Sequence, residues 1–305
     1  MKRIGILLVP LLCIVFLIAG FGIAGMNEYQ FREERVDVVL VTCEQDLLNL
    51  GDGIYNDRIK LANNIEISSA VNLNSEKHPF IGVFDGNGYT ITYKGSMEQS
   101  FLGYIGEGGR VCNLNMVVDS FAPDGELGGV IAVESDGVVM DCTVSVGSYQ
   151  TNNEGSFGSV VAVNNGIIEH TIATVSFSNQ DPNGMYTIGG IAAHNYSIIR
   201  YCVTSVAFDG YPEVDNQYAL EHSLQNTSIG AIYGAMGIKG TVQQSCTIID
   251  QNTVVWDRKD NQVTIYHDRL DVFNAEIMFK TLLFNEKAWR FQGDQFRLIA
   301  GRIEK

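Results

Sequence analysis

Between residues 38 and 249 the apolar residues come in short runs, each broken by Gly or by Asp-Gly, Asn-Gly or Gly-Gly pairs. Runs of this length, rich in Val, Ile and Thr, predict strands joined by turns rather than helices. Arg58-Ile-Lys-Leu-Ala-Asn-Asn-Ile-Glu-Ile67 alternates apolar and polar through Ile59, Leu61, Ile65 and Ile67, and predicts one strand opening a first coil. Two stretches have helical spacing instead. Thr42-Cys-Glu-Gln45 stands at capping-box spacing ahead of Leu47, Leu48 and Leu50, with Gly51 as a stop, which predicts a short helix over 43–50. From Asn274 to Phe284 the apolar residues 277, 278, 282 and 283 share one helical face.

The strand pattern repeats. Phe101-Leu-Gly-Tyr-Ile-Gly106 aligns with segments starting at Leu127, Phe157, Ile188 and Ile229, giving periods of 26, 30, 31 and 41. Each copy is followed by a second half: Gly109-Arg-Val-Cys-Asn-Leu114, then stretches starting at Gly137, Gly166, Ser197 and Gly240. Spacing of this kind, with insertions between strands, marks a solenoid. The fold class expected is all-β: a right-handed parallel β-helix of about seven or eight coils, roughly 35 Å long at ~4.8 Å per coil. Because open solenoid ends expose unpaired edges, the 43–50 helix is expected as an N-terminal cap and residues 273–305 as a C-terminal cap. The cysteines and Thr171 share one slot of the second half. Cys142 and Cys202 are separated by the Thr171 coil, beyond disulfide reach, whereas Cys202 and Cys246 fall on adjacent coils.

The paired signatures, preceded by Phe84-Asp-Gly-Asn-Gly-Tyr-Thr-Ile91, resemble the GLUG-type repeats of bacterial cell-surface proteins. The resemblance runs over roughly residues 38–298 and includes the ending Leu283-Phe284, Trp289 and Phe296-Arg-Leu298. It implies a secreted or surface-displayed, adhesin-like repeat module. Some immunoglobulin A metallopeptidases carry such repeats beside a protease domain. This chain lacks a His-Glu-x-x-His motif, so the resemblance does not bring that activity with it.

The start of the chain changes the picture of compartment. Lys2 and Arg3 precede the uncharged run 4–24, so residues 1–26 are expected to be a signal peptide or membrane anchor. Residues 27–37 follow as a polar stalk, and 38–272 as the β-helix. The expected localisation is extracellular, anchored to a bacterial envelope or secreted. A net charge of −15 over 305 residues repels phosphate backbones and argues against nucleic acid. Partners would be a glycan or a surface protein, with the membrane engaged through residues 4–24 if the leader stays.

No cofactor, metal or catalytic set is expected. Five cysteines outside the leader show no CxxC spacing, five histidines are scattered, and no Gly-x-Ser-x-Gly occurs. Asp85-Gly86-Asn87-Gly88 is a turn rather than a ligand loop. The longest insertion carries Asp209, Tyr211, Glu213, Asp215, Tyr218 and His222. These are the ligand-binding candidates, since solenoid insertions project from one face. The expected function is a non-catalytic module for adhesion, scaffolding or ligand display. The alternative is a carbohydrate-active β-helix, a polysaccharide lyase or glycosidase using those carboxylates.

Overall fold

The computed structural model describes residues 37–51, 54–69, 71, 73–151, 155–179, 186–209, 228–230, 232–249, 263–267, 284, 286–292 and 295–298. Nearly all of the structure is parallel β, wound as a solenoid, with one helix among the described residues. Four parallel sheets run along it. The first holds eight strands and includes β1 (Val38–Val41), β2 (Arg58–Leu61), β4 (Val83–Asp85) and β7 (Arg110–Cys112). The second, also of eight, includes β3 (Ile65–Ile67), β5 (Thr90–Met97), β8 (Asn115–Phe121), β12 (Thr143–Thr151) and β20 (Val203–Asp209). The third has four strands, β9 (Leu127–Gly129), β13 (Gly155–Gly158), β17 (Tyr186–Gly189) and β21 (Ser228–Gly230). The fourth has five, β6 (Leu102–Ile105), β10 (Ala132–Ser135), β14 (Val161–Asn164), β18 (Ala192–Asn195) and β22 (Tyr233–Met236). A full turn visits them in the order first, second, third, fourth. About five turns are present, not the seven or eight expected, because the outermost rungs of the two eight-stranded sheets belong to partial coils.

The corner between the first and second sheets explains why the second halves of the repeat align. One residue there turns left-handed: Asn113, Asp141, His170, Tyr201 and Gln244 have φ between 44° and 55°. The N–H groups of Asn113, Asp141, His170 and Tyr201 are used across the coils, for example Asp141 to Glu169 O at 3.2 Å and Tyr201 to Gln243 O at 3.0 Å. The next residue, Leu114, Cys142, Thr171, Cys202 or Ser245, is buried. This is the slot the cysteines are expected to share with Thr171, but only Cys142 and Cys202 occupy it, since Cys112 ends β7 two residues earlier, level with Met140. Ser245, not Cys246, stands beside Cys202, its hydroxyl accepting the Cys202 N–H at 3.1 Å. Cys246 pairs with Val203 instead, so the two cysteines are not register partners. Cys202 Sγ lies 3.3 Å from Arg200 O.

Inside, apolar positions stack in columns. Met97, Phe121, Tyr149 and Phe177 follow one another on neighbouring strands, and the Tyr149 ring lies 6.2 Å from Phe121 and 5.4 Å from Phe177. Burying each such side chain contributes roughly 1.5–3 kcal/mol. Where the third sheet bends into the fourth, the backbones touch. A Cβ on Gly129 would collide with the Ala132 carbonyl and the Val161 Cα, and one on Gly158 with the Val161 carbonyl.

Two local expectations are corrected. The stretch 58–67 is two strands on different sheets, because Ala62-Asn63-Asn64 forms a corner. Asn63 Nδ2 donates to Thr42 O and Asn64 Oδ1 accepts the Thr90 N–H. Helix α1 spans Glu44–Leu50 with Cys43 at its N-cap and no capping box, since Thr42 Oγ1 donates to Asp46 Oδ2 at 2.6 Å rather than engaging Gln45. Its Leu47 is fully buried, and Gly51 closes it with φ 63°. Asp85–Gly88 is a turn as read: Asp85 Oδ1 accepts the Asn87 N–H, with Asn87 and Gly88 at φ 51° and 75°. Residues 1–36, which carry the expected signal or anchor, and the expected helix up to residue 283 lie outside the described residues. Among the described residues no helix is long and apolar enough to cross a membrane.

Candidate functional site

The third sheet has one strand fewer than the fourth, and the missing rung leaves a cavity. Between β5 and β6 the chain spends only residues 98–101, whereas the next coil uses 122–131 and lays down β9 on the way. Beneath β9 there is therefore a gap of about 560 Å³, within the range of ligand pockets. Glu98, Gln99 and Ser100 come from the short connection, and Pro123 to Leu127 from the connection above it. Gly103, Tyr104 and Val133 come from the fourth sheet, and Asn74, Ser75 and Glu76 from the preceding coil. The walls are braced. Asn74 holds Tyr104 by both backbone groups, at 2.7 Å to its N and 2.9 Å to its O, and Asp124 N donates to Glu98 O at 3.1 Å.

Four carboxylates line the gap (Glu76, Glu98, Asp124, Glu126) and no Lys, Arg or His does. Burial pushes the Tyr104 hydroxyl above its ordinary pKa, with Glu76 and Glu134 adding to it. Glu134, cross-strand partner of Tyr104, is raised by burial and then by Asp136, against a hydrogen bond from Asn165 Nδ2 at 2.6 Å. The electrostatics thus favour positive or neutral hydroxylated groups over anions. Among the described residues no group of three or more His, Cys, Asp or Glu is placed to hold a metal ion.

The sequence candidates fall elsewhere. Asp209 ends β20, its backbone paired with Ser178, while Tyr211, Glu213, Asp215, Tyr218 and His222 lie outside the described residues. The cavity carboxylates escaped the sequence reading because they sit on connections of different coils and follow no period. One signal pointed there. Aligning Phe101 with Leu127 hid the missing strand, for the structure pairs Leu102 with Ala132 and leaves no strand of the preceding coil beside Leu127.

A second cluster lies on the flank. Trp289 Nε1 donates to Asp141 Oδ1 at 2.7 Å, both residues being buried. Phe284 meets Trp289 edge to face at 5.0 Å and His170 at 5.6 Å, and His170 stacks on Tyr201 at 5.0 Å. Phe284 and Trp289 thus meet the side of the stack at its left-handed corners, and Trp289 opens the antiparallel pair β26 (Trp289–Gln292) and β27 (Gln295–Leu298). His194 packs as well. Its Nε2 lies 2.9 Å from Ser156 Oγ, its ring stacks on Tyr196, and burial lowers its pKa.

With this geometry in hand, comparison adds no relative: no protein-family model, no curated protein and no solved structure matches the chain.

Proposed function

We propose that this protein is a non-catalytic, surface-displayed binding module, a right-handed parallel β-helix that presents the acidic cavity as its ligand seat. The observation that carries this reading is the cavity itself, built from three successive turns whose backbone is fixed by stacking. Rigid support of this kind is what a preorganised binding site needs. The right hand follows the general preference of parallel crossovers. The charged start and uncharged run 4–24 support export and an envelope location, and the repeat signatures support kinship with GLUG-type surface proteins. Adhesion, scaffolding and ligand display all use such a seat.

The test is a binding screen of the full chain in detergent against glycans and peptides, beside a Glu98→Gln/Glu126→Gln double variant. Binding by the parent that is weakened in the double variant supports the seat. Equal binding by both moves the site to the 209–222 insertion. A second reading, a glycan-cleaving β-helix, is favoured by one observation: four carboxylates on rigid turns beside Glu134, a carboxyl whose proton burial helps to retain. Release of reducing ends or unsaturated products from a polysaccharide panel, lost in Glu98→Gln or Glu126→Gln, would establish it over the binding reading.

A further inference from the structure

The cavity is more than a hollow with acidic walls, because it lies against an open sheet edge. β9 is the terminal strand of its sheet, paired with β13 on one side only. Parallel pairing makes backbone groups alternate between the two edges. Ser156 N–H donates to Glu126 O, so residues 126 and 128 face β13, while at Val130 the strand bends, its N–H reaching Ser159 O and its carbonyl accepting the Phe101 N–H of the preceding coil. Leu127 and Gly129 therefore turn their N–H and C=O toward the gap. The Gly129 N–H reaches only the Ser100 hydroxyl, at a long 3.4 Å. Leu127 is 38% exposed.

We propose that this gap is a strand-addition site, in which an extended peptide carrying basic side chains takes the place of the missing first strand of the sheet. The inference rests on reading the cavity as the ligand seat. An added strand lies about 4.8 Å from its neighbour and advances about 3.3 Å per residue. A gap of about 560 Å³ therefore suits a stretch of a few residues. Main-chain hydrogen bonds to Leu127 supply register, as in other cases of strand addition. Alternate side chains then face opposite walls. One set meets Glu98, Asp124 and Glu126, which select Lys or Arg. The other meets Tyr104, Pro123 and Val133, which accept an apolar residue. A glycan could satisfy the carboxylates, but it would not need the Leu127 amide.

The experiment uses the full chain in detergent micelles and three acetylated, amidated peptides: Lys-Val-Lys-Val-Lys, Glu-Val-Glu-Val-Glu, and the lysine peptide with alternate backbone amides N-methylated. Binding is followed by titration and by amide hydrogen exchange. The lysine peptide should bind and slow exchange at Leu127. The glutamate and N-methylated peptides should each bind at least about tenfold more weakly, as should the lysine peptide to Leu127→Pro. The N-methylated peptide keeps the test decisive even if Leu127→Pro misfolds. The proposal is overturned if the lysine peptide does not bind, or if N-methylation leaves its affinity unchanged. A chitosan hexamer separates the two levels of the argument. If the hexamer binds in a manner sensitive to Glu98→Gln/Glu126→Gln while the peptide does not bind, strand addition fails and the seat stands. If neither binds, both fail.

Discussion

Replacing Trp289 by Phe should loosen the hold of the C-terminal segment on the left-handed corner at Asp141. The indole N–H donates to Asp141 Oδ1 at 2.7 Å in a site where both residues are buried. Phe keeps an aromatic ring beside Phe284 but removes the donor together with the smaller ring of the indole, whose lost packing adds its own cost. A hydrogen bond to a carboxylate contributes about 1.5–3 kcal/mol. For a domain of this size that corresponds to a fall in Tm of about 3–12 °C. A double-mutant cycle isolates the bond. Asp141 sits at φ 49°, so Gly is the replacement that adds no backbone strain. In the Asp141→Gly background, Trp289→Phe should cost about 1.5–3 kcal/mol less than in the parent, the part that remains being the packing lost with the smaller ring. Urea unfolding followed by circular dichroism supplies the free energies, and hydrogen exchange over 289–298 shows whether the segment is released first. Equal losses in the two backgrounds would refute the reasoning.

Three further outcomes follow from the structure. Gly158→Ala places a methyl against the Val161 carbonyl and should destabilise by about 1–3 kcal/mol or more, whereas Gly125→Ala, whose nearest neighbour is Leu127 O at 3.8 Å, should change little in the same melts. Glu134 has a folded pKa raised by burial. Its native form therefore binds protons more readily than its unfolded form, and the stability it contributes is present at acidic pH and lost as pH rises through the raised value. Glu134→Gln should accordingly stabilise the protein near neutral pH, with a benefit that shrinks as pH falls below the ordinary Glu range; a benefit independent of pH would refute this. In the native protein Cys43 is exposed and should alkylate readily, while Cys142, fully buried with its thiol pKa raised by desolvation, should label only after unfolding, as peptide mass mapping would show.

The parts of the fold most legible in the sequence were those where every coil obeys the same steric rule. At the left-handed corner the sequence offers a strand ending two residues before a buried slot, and all five second halves begin in the register read from the sequence, although in the last copy the slot falls to Ser245 and not to Cys246. The first halves were harder. An apolar residue, a Gly and another apolar residue satisfy several positions along a bend where backbones touch. Leu127 was thus matched to Phe157, although the structure pairs Gly128 with it, and Phe101 was placed four residues out of register. Periodicity detects what is repeated and is blind to an omission. The cavity is an omission, and its carboxylates lie on connections that carry no period. The C-terminal segment was legible as Phe284, Trp289 and Phe296, but not its docking on the flank. That depends on Asp141 and His170, whose residue types give no hint that they face an indole and a phenyl ring.

The contact between Trp289 and Asp141 also bears on the order in which the chain can fold. Each coil closes a loop of about thirty residues on its neighbour, while this contact spans 148 positions. Closing the longer loop costs about 1.4 kcal/mol more in chain entropy. It also cannot form until the residues around 289 have left the ribosome. The stack should therefore wind first, rung upon rung, with His170 and Tyr201 already in left-handed conformations that such side chains rarely adopt. The aromatic pair from the C-terminal segment arrives last. A nascent chain halted before residue 284 would carry those corners without their cover, and a slow final phase in refolding would report the moment at which it settles.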